Sequence, residues 1–249
     1  MNRSIPVLLY HHVSPERDIT PQGFETQMRH LLDQGYECLS MAEVVRTARG
    51  EIKSDRPSFA LTFDDGYANN EEHAFPILKK LMLKATIYLV TDRVGTEGFL
   101  SWAQVKAMKA SGLITFGSHS RTHRHFVRRE PYGNVEEELQ GSKRAIESQL
   151  GEPCDHLAWP WGDYEDAWLP LVKQIGYSSA ATTLAGANSK GSDPFTLRRI
   201  NMRRPSAAWL EKRLRWNRFA VPARAFGLFY GWDRRLKVWW NRESPYSHG

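Results

Sequence analysis

A chain of 249 residues, 41% hydrophobic and 25% charged, can bury one large core and is too apolar to be disordered throughout. Its two cysteines, Cys38 and Cys154, lie far apart, which excludes a disulfide framework or a paired-cysteine metal motif; both read as small, partly buried side chains. The net charge of +6 is modest but uneven, and it resides in the last 45 residues considered below.

The opening Met1–Tyr10 carries one positive charge and a very short apolar run, unlike a signal peptide. No stretch reaches the ~18 apolar residues of a membrane span, so a cytoplasmic location is expected. Ile5–Tyr10 is long enough for a buried strand. Phe24, Met28, Leu31 and Leu32 then recur at helical spacing, with Gly35 as the stop. Ser40-Met41-Ala42-Glu43 is a capping box, in which the hydroxyl and the carboxylate each take a free amide at a helix start. Ser58–Phe63 reads as a strand running into Asp64-Asp65-Gly66. A helix is expected over Glu71–Leu83, with Pro76 in its first turns or at a kink.

Thr86–Thr91, rich in β-branched and aromatic residues, predicts the next strand. Ser101-Trp102-Ala103-Gln104 is a second capping box, opening a helix that ends near Gly112. Leu113–Phe116 is a strand leading to Gly117-Ser118-His119, and Val135–Leu150 is a helix closed by Gly151. His156–Trp159 is a short strand entering Pro160-Trp161-Gly162, and Ala167–Ile175 is a further helix stopped by Gly176. This βα alternation predicts a parallel sheet or barrel with helices outside. Asp64, Asp65, His119 and Pro160–Gly162 all follow predicted strands, where the loops of an α/β barrel converge on one face.

His119-Ser120-Arg121-Thr122-His123 places two imidazoles four apart, able to share one ion on a helical turn or in a folded loop. The zinc-protease signature is excluded, because Ser120 stands where that motif needs Glu. His125 is expected outside the ligand set. Thr62-Phe63-Asp64-Asp65-Gly66 ends a strand with two carboxylates that leave in different directions, so one can ligate a metal while the other serves as a base. Alone, either motif has an ordinary structural reading, as surface histidines or an Asp-Gly turn. Together, each after its own strand, they are far more specific.

Thr62–Gly66 and His119–His123 resemble the first two motifs of the NodB-homology polysaccharide deacetylases, carbohydrate esterase family 4. The resemblance runs from about Pro6 to Met202. With Leu9-Tyr10-His11-His12-Val13, Ala158-Trp159-Pro160-Trp161-Gly162 and Pro194–Ile200, it is strongest to the biofilm poly-N-acetylglucosamine deacetylase branch. It implies an α/β fold, a distorted (β/α)7 barrel over residues 1–204, and removal of N-acetyl groups from an amino-sugar polysaccharide or lipid-linked saccharide. Carried over, Asp64 is the base, and Asp65, His119 and His123 hold one divalent ion, Zn2+ first, with Co2+ or Ni2+ as alternatives.

Two departures follow. Leu157-Ala158-Trp159 occupy the stretch where the family usually carries a base-orienting Arg, so the resemblance assigns that charge to Arg199. The late Leu-x-x-His acid motif is absent, since no His lies between His156 and His248. The acid then maps onto His11, with His12 as the alternative. The Trp161 amide is the candidate oxyanion donor, and Tyr67, Trp159 and Pro160, with the Trp161 ring, are candidate saccharide contacts. Two other readings remain: a degenerate carbohydrate-binding protein, and a deacylase of a non-sugar amide or O-acetyl ester.

Residues 205–249 hold nine Lys/Arg against three acidic residues and five of the nine tryptophans. Trp209, Leu210 and Leu214, with Arg213 and Trp216, suggest an amphipathic helix, and Phe226–Trp240 repeats the aromatic and Arg mixture. This basic extension is read either as a peripheral membrane contact at the inner face or as a segment packed on the barrel. No nucleic-acid module accompanies the charge.

Overall fold

The computed structural model describes residues 4–53, 55–126 and 134–218. Strand β1 is Ile5–Tyr10, followed by helix α1 (Pro21–Asp33), β2 (Glu37–Leu39) and α2 (Met41–Arg49). Next come β3 (Ser58–Phe63), α3 (Phe75–Lys80), β4 (Ala85–Leu89), α4 (Trp102–Lys109) and β5 (Ile114–Ser118). Helix α5 (Val135–Leu150) precedes β6 (His156–Ala158), α6 (Leu169–Ile175) and β7 (Ser179–Ala181). Two two-residue strands, β8 (Ala187–Asn188) and β9 (Ile200–Asn201), and helix α7 (Ala207–Arg218) complete the order.

The sheet runs β7-β6-β5-β4-β3-β1-β8, with β2 beside the first half of β3 and β9 beside β1. Pairs from β1 to β7 are parallel, while β8 is antiparallel. The sheet curls. Leu197 exchanges backbone hydrogen bonds with Ala180 and Thr182 of the β7 end, and Ile200–Asn201 then pairs with β1, so residues 197–201 bring the curl back to its start. This is the expected (β/α)7 arrangement. Every residue of β1, β3 and β4 is buried, as expected of parallel strands covered on both faces.

Helix boundaries follow local chemistry. Both capping boxes form, at Ser40–Glu43 and Ser101–Gln104. Gly151 and Gly176 end α5 and α6 in left-handed conformations that a side chain would strain. Phe24, Met28 and Leu31 of α1 are at most 1% exposed, each worth about 1.5–3 kcal/mol on burial. The helix expected over Glu71–Leu83 is corrected. A π-turn covers Asn70–Ala74, and α3 starts only at Phe75 with Pro76 in its first turn. Pro76 has no N–H to give the preceding turn, so the backbone widens there instead of continuing as α-helix.

Leu210 and Leu214 of α7 are buried in the main core cluster, against which Trp209 also packs, and α7 lies on α1. The start of the extension is thus fastened to the body; Phe226–Trp240 lies outside the described residues. Among the described residues, no helix is long and apolar enough to cross a membrane.

Candidate active site

The strand ladders continue into the residues of interest. Asp64 donates its backbone N–H to Tyr10, the last residue of β1, and His119 donates to Leu89, the last residue of β4 (2.9 and 2.8 Å). Sheet hydrogen bonding therefore fixes both residues at the strand ends. Beyond them the chain turns sharply. Of five non-glycine residues at positive φ among the described residues, four are Asp65, Ser120, His123 and Trp161 (φ +73°, +64°, +61° and +61°). Such conformations cost of order 1–3 kcal/mol each and persist where the surroundings enforce them.

The turn from His119 to His123 is enforced from two sides. Ser120 Oγ accepts from the His123 amide at 3.0 Å, while Glu138 of α5 accepts from the Arg121 and Thr122 amides at 3.1 and 2.9 Å. His119 Nδ1 donates to the Ala158 carbonyl at 2.8 Å, which leaves Nε2 bare and facing the site. Burial first, with Asp64 and Asp65 opposing it, holds the His119 pKa down to about 4. Burial likewise takes His123 to about 4, so both imidazoles are neutral near pH 7.

His119 Nε2 and His123 Nε2 are 3.2 Å apart, and Asp65 Oδ1 lies 3.6 and 3.4 Å from them. A tetrahedral ion with bonds of ~2.05 Å has ligand–ligand edges of about 3.3 Å, close to all three distances. Asp65 Oδ1 is buried without a hydrogen-bond partner, a costly state for an ionised oxygen that a cation would relieve. These three residues, their ligand atoms all within 4.8 Å, could hold a metal ion and leave one side open.

Asp64, 2% exposed, sits beside them. Arg199 Nη1 and Nη2 donate to its two oxygens at 2.6 and 2.7 Å, a bidentate clamp. Arg199 is itself fully buried, with Nε donating to the Thr182 carbonyl and its guanidinium over the Tyr88 ring. Burial alone would raise the Asp64 pKa; Arg199 and then His119 outweigh it and bring it down to about 2. Asp64 is thus a permanently ionised carboxylate with a fixed orientation.

The other candidates divide. His11 follows β1 and is half-buried, close enough for its charge to act on Asp64 and His123. His12 is engaged elsewhere: its Nδ1 takes the Asn69 side-chain amide at 2.8 Å and its ring stacks on Tyr67 at 3.7 Å. Trp161 is partly exposed, its indole donating to the His123 carbonyl at 3.3 Å and stacking on His125 at 4.3 Å. Its turn needs Gly162 (φ +73°), where a Cβ would meet Thr183 at 2.2 Å. His125 lies outside the Asp65–His119–His123 group.

Two expected saccharide contacts, Trp159 and Pro160, are corrected. Trp159 is fully buried, donating to the Phe195 carbonyl and stacked on Tyr164, so it fills the core. Pro160 is also buried and shapes the turn. Tyr67 is half-buried, with the His12 and Phe99 rings stacked against it. Burial first, then Asp65, raises its phenol to about 12. Sequence reasoning missed Glu138, Asn69 and Asn70, whose partners lie 16 to 59 positions away.

A family model described as polysaccharide deacetylase matches residues 51–180. A crystal structure of a polysaccharide deacetylase from Bacillus cereus is 31% identical, covering 86% of this chain and 69% of that one, with a TM-score of 0.76. The Streptococcus pyogenes deacetylase PplD, solved in complex with acetate, is 30% identical over 84% of this chain and 98% of its own, also at TM-score 0.76. The poly-beta-1,6-N-acetyl-D-glucosamine N-deacetylase of Staphylococcus aureus is 24% identical, covering 73% of this chain and 67% of that protein. Half of the chain thus matches the family model, and the relatives extend the likeness across the curled sheet. The chain belongs to the NodB-type polysaccharide deacetylases of carbohydrate esterase family 4.

Proposed function

We propose that the protein is a metal-dependent hydrolase that removes N-acetyl groups from an amino-sugar polysaccharide or a lipid-linked saccharide. The observation that carries this reading is the adjacency of two built parts. One is the Asp65–His119–His123 donor set at near-tetrahedral edges; the other is the Arg199-clamped carboxylate of Asp64, 3.7 Å from His119 Nε2. Two neutral imidazoles and one carboxylate suit zinc, the ion proposed here. When bound, it would polarise the acetyl carbonyl and lower the pKa of water.

The chain's own residues account for the proton movements. Asp64 accepts the proton of the attacking water, its lone pairs aimed by the bidentate guanidinium of Arg199. The Trp161 amide, held in its strained turn, donates toward the oxyanion. His11 delivers a proton to the departing sugar amine, without which C–N cleavage is slow. The likeness to the S. aureus enzyme supports a β-1,6-linked N-acetylglucosamine polymer as the first substrate to assay. Asp64→Asn is expected to lower acetate release at least about 1,000-fold while zinc content stays at one per chain. His119→Ala is expected to lose the zinc. Full activity in either variant would remove the assignment.

A further inference from the structure

The loop after Asp65 reaches across to the loop after β1 and grips it at two successive residues. Asn70 is 1% exposed, and its Nδ2 donates to the His11 backbone carbonyl at 2.8 Å. Asn69, its neighbour, donates its Nδ2 to His12 Nδ1 at 2.8 Å. Asn70 opens the π-turn over Asn70–Ala74, a wide turn of a kind found frequently at functional sites. Its amide carbonyl oxygen Oδ1 is buried with no hydrogen-bond partner. Burying that acceptor unsatisfied is unfavourable, so the side chain is not there for stability alone.

We infer that Asn70 is the positioning residue for the proton donor: it fixes the backbone of His11 so that this imidazole, and not His12, faces the leaving amine. His12 is held differently, by the Asn69 side-chain amide on its Nδ1 and by its ring stack on Tyr67. The grip also ties the donor to the metal-ligand loop, since Asn70 donates its own backbone N–H to Tyr67, two residues after Asp65. Acid and base sides are then held in register by one short segment, residues 64–70.

This inference rests on His11 being the acid, and leaving-group chemistry separates the two claims. An amine must be protonated to leave; 4-nitrophenolate leaves without help, so hydrolysis of 4-nitrophenyl acetate needs the base side but not the acid. The readout is the ratio of N-acetylglucosamine-oligomer deacetylation to 4-nitrophenyl acetate hydrolysis. Both rates scale with the folded fraction, so a partly unfolded variant does not distort it. His11→Ala is expected to lower the ratio about 100-fold. Asn70→Ala, and the isosteric Asn70→Asp that cannot donate to the His11 carbonyl, are expected to lower it about 10-fold or more. If His11→Ala lowers the ratio and neither Asn70 variant does, the positioning role is wrong and the acid stands. If His11→Ala leaves the ratio unchanged, the acid assignment fails and the positioning role falls with it.

Discussion

On the base side of the site, Asp64 and Arg199 are 2% and 0% exposed and share two charge-assisted hydrogen bonds of 2.6 and 2.7 Å. On the acid side, His11 and His12 are half-buried and are held by neutral amides and a ring stack. The contrast follows from the jobs proposed for each. A base that stays ionised must be oriented at all times, and burial with a paired cation achieves that at the cost of desolvating both charges. A proton donor has to recharge from solvent between turnovers, which full burial would prevent.

Breaking the comparison on its rigid side should have the largest effect on stability. Arg199→Ala leaves the Asp64 carboxylate buried and unpaired, and denaturant unfolding is expected to show a loss of about 3–5 kcal/mol. The same experiment on His12→Ala is expected to cost less than about 1 kcal/mol, because only a half-buried stack and one neutral hydrogen bond are removed. Similar losses for the two variants would erase the distinction drawn here.

A pH experiment sharpens it further. Burial holds His119, His123 and His156 near a pKa of about 4, against an ordinary value of 6.5. The unfolded chain takes up protons below pH 6.5 that the folded chain refuses until about pH 4. Metal-free protein should therefore be most stable above pH 6.5 and lose stability as the pH falls toward 4. A melting temperature unchanged between pH 7 and pH 4.5 would contradict the burial argument. The smallest effect is expected at Glu138, which holds the turn between His119 and His123 from outside. Glu138→Ala removes the one carboxylate oxygen that takes both amides, and should weaken zinc affinity by about 10-fold with the fold intact, read by competition with a chelator.

The frame of the molecule was largely legible in the residues. β1, β3 and α5 begin and end where the apolar runs and the Gly151 stop predict, because continuous burial and a left-handed cap are local signals. The strands β2, β7, β8 and β9 were not, since two or three residues carry no periodicity and exist only through their neighbours. The π-turn was hidden because Pro76 announces a break without saying which form it takes.

At the site, the sequence motifs pointed to residues the fold does bring together, Asp65 with His119 and His123. The pairing of Asp64 with Arg199 spans 135 positions and came from family resemblance, not from local pattern. Trp159 was misread because a tryptophan beside a site motif has the same letters whether it faces the sugar or the core. Its complete burial is a property of the packed sheet, as is the stacking of His12 and Phe99 against Tyr67. The asparagine grip on His11 and His12 likewise links loops that only the topology makes neighbours.

The central claim is that Asp65, His119 and His123 hold one divalent cation on which deacetylation depends. Acetate release from β-1,6-linked N-acetylglucosamine oligomers, measured on chelator-treated protein during a zinc titration, tests it most directly. The account predicts negligible release without metal and recovery that saturates at one zinc per chain. Full release from the metal-free protein, or no release at any zinc concentration, would contradict it.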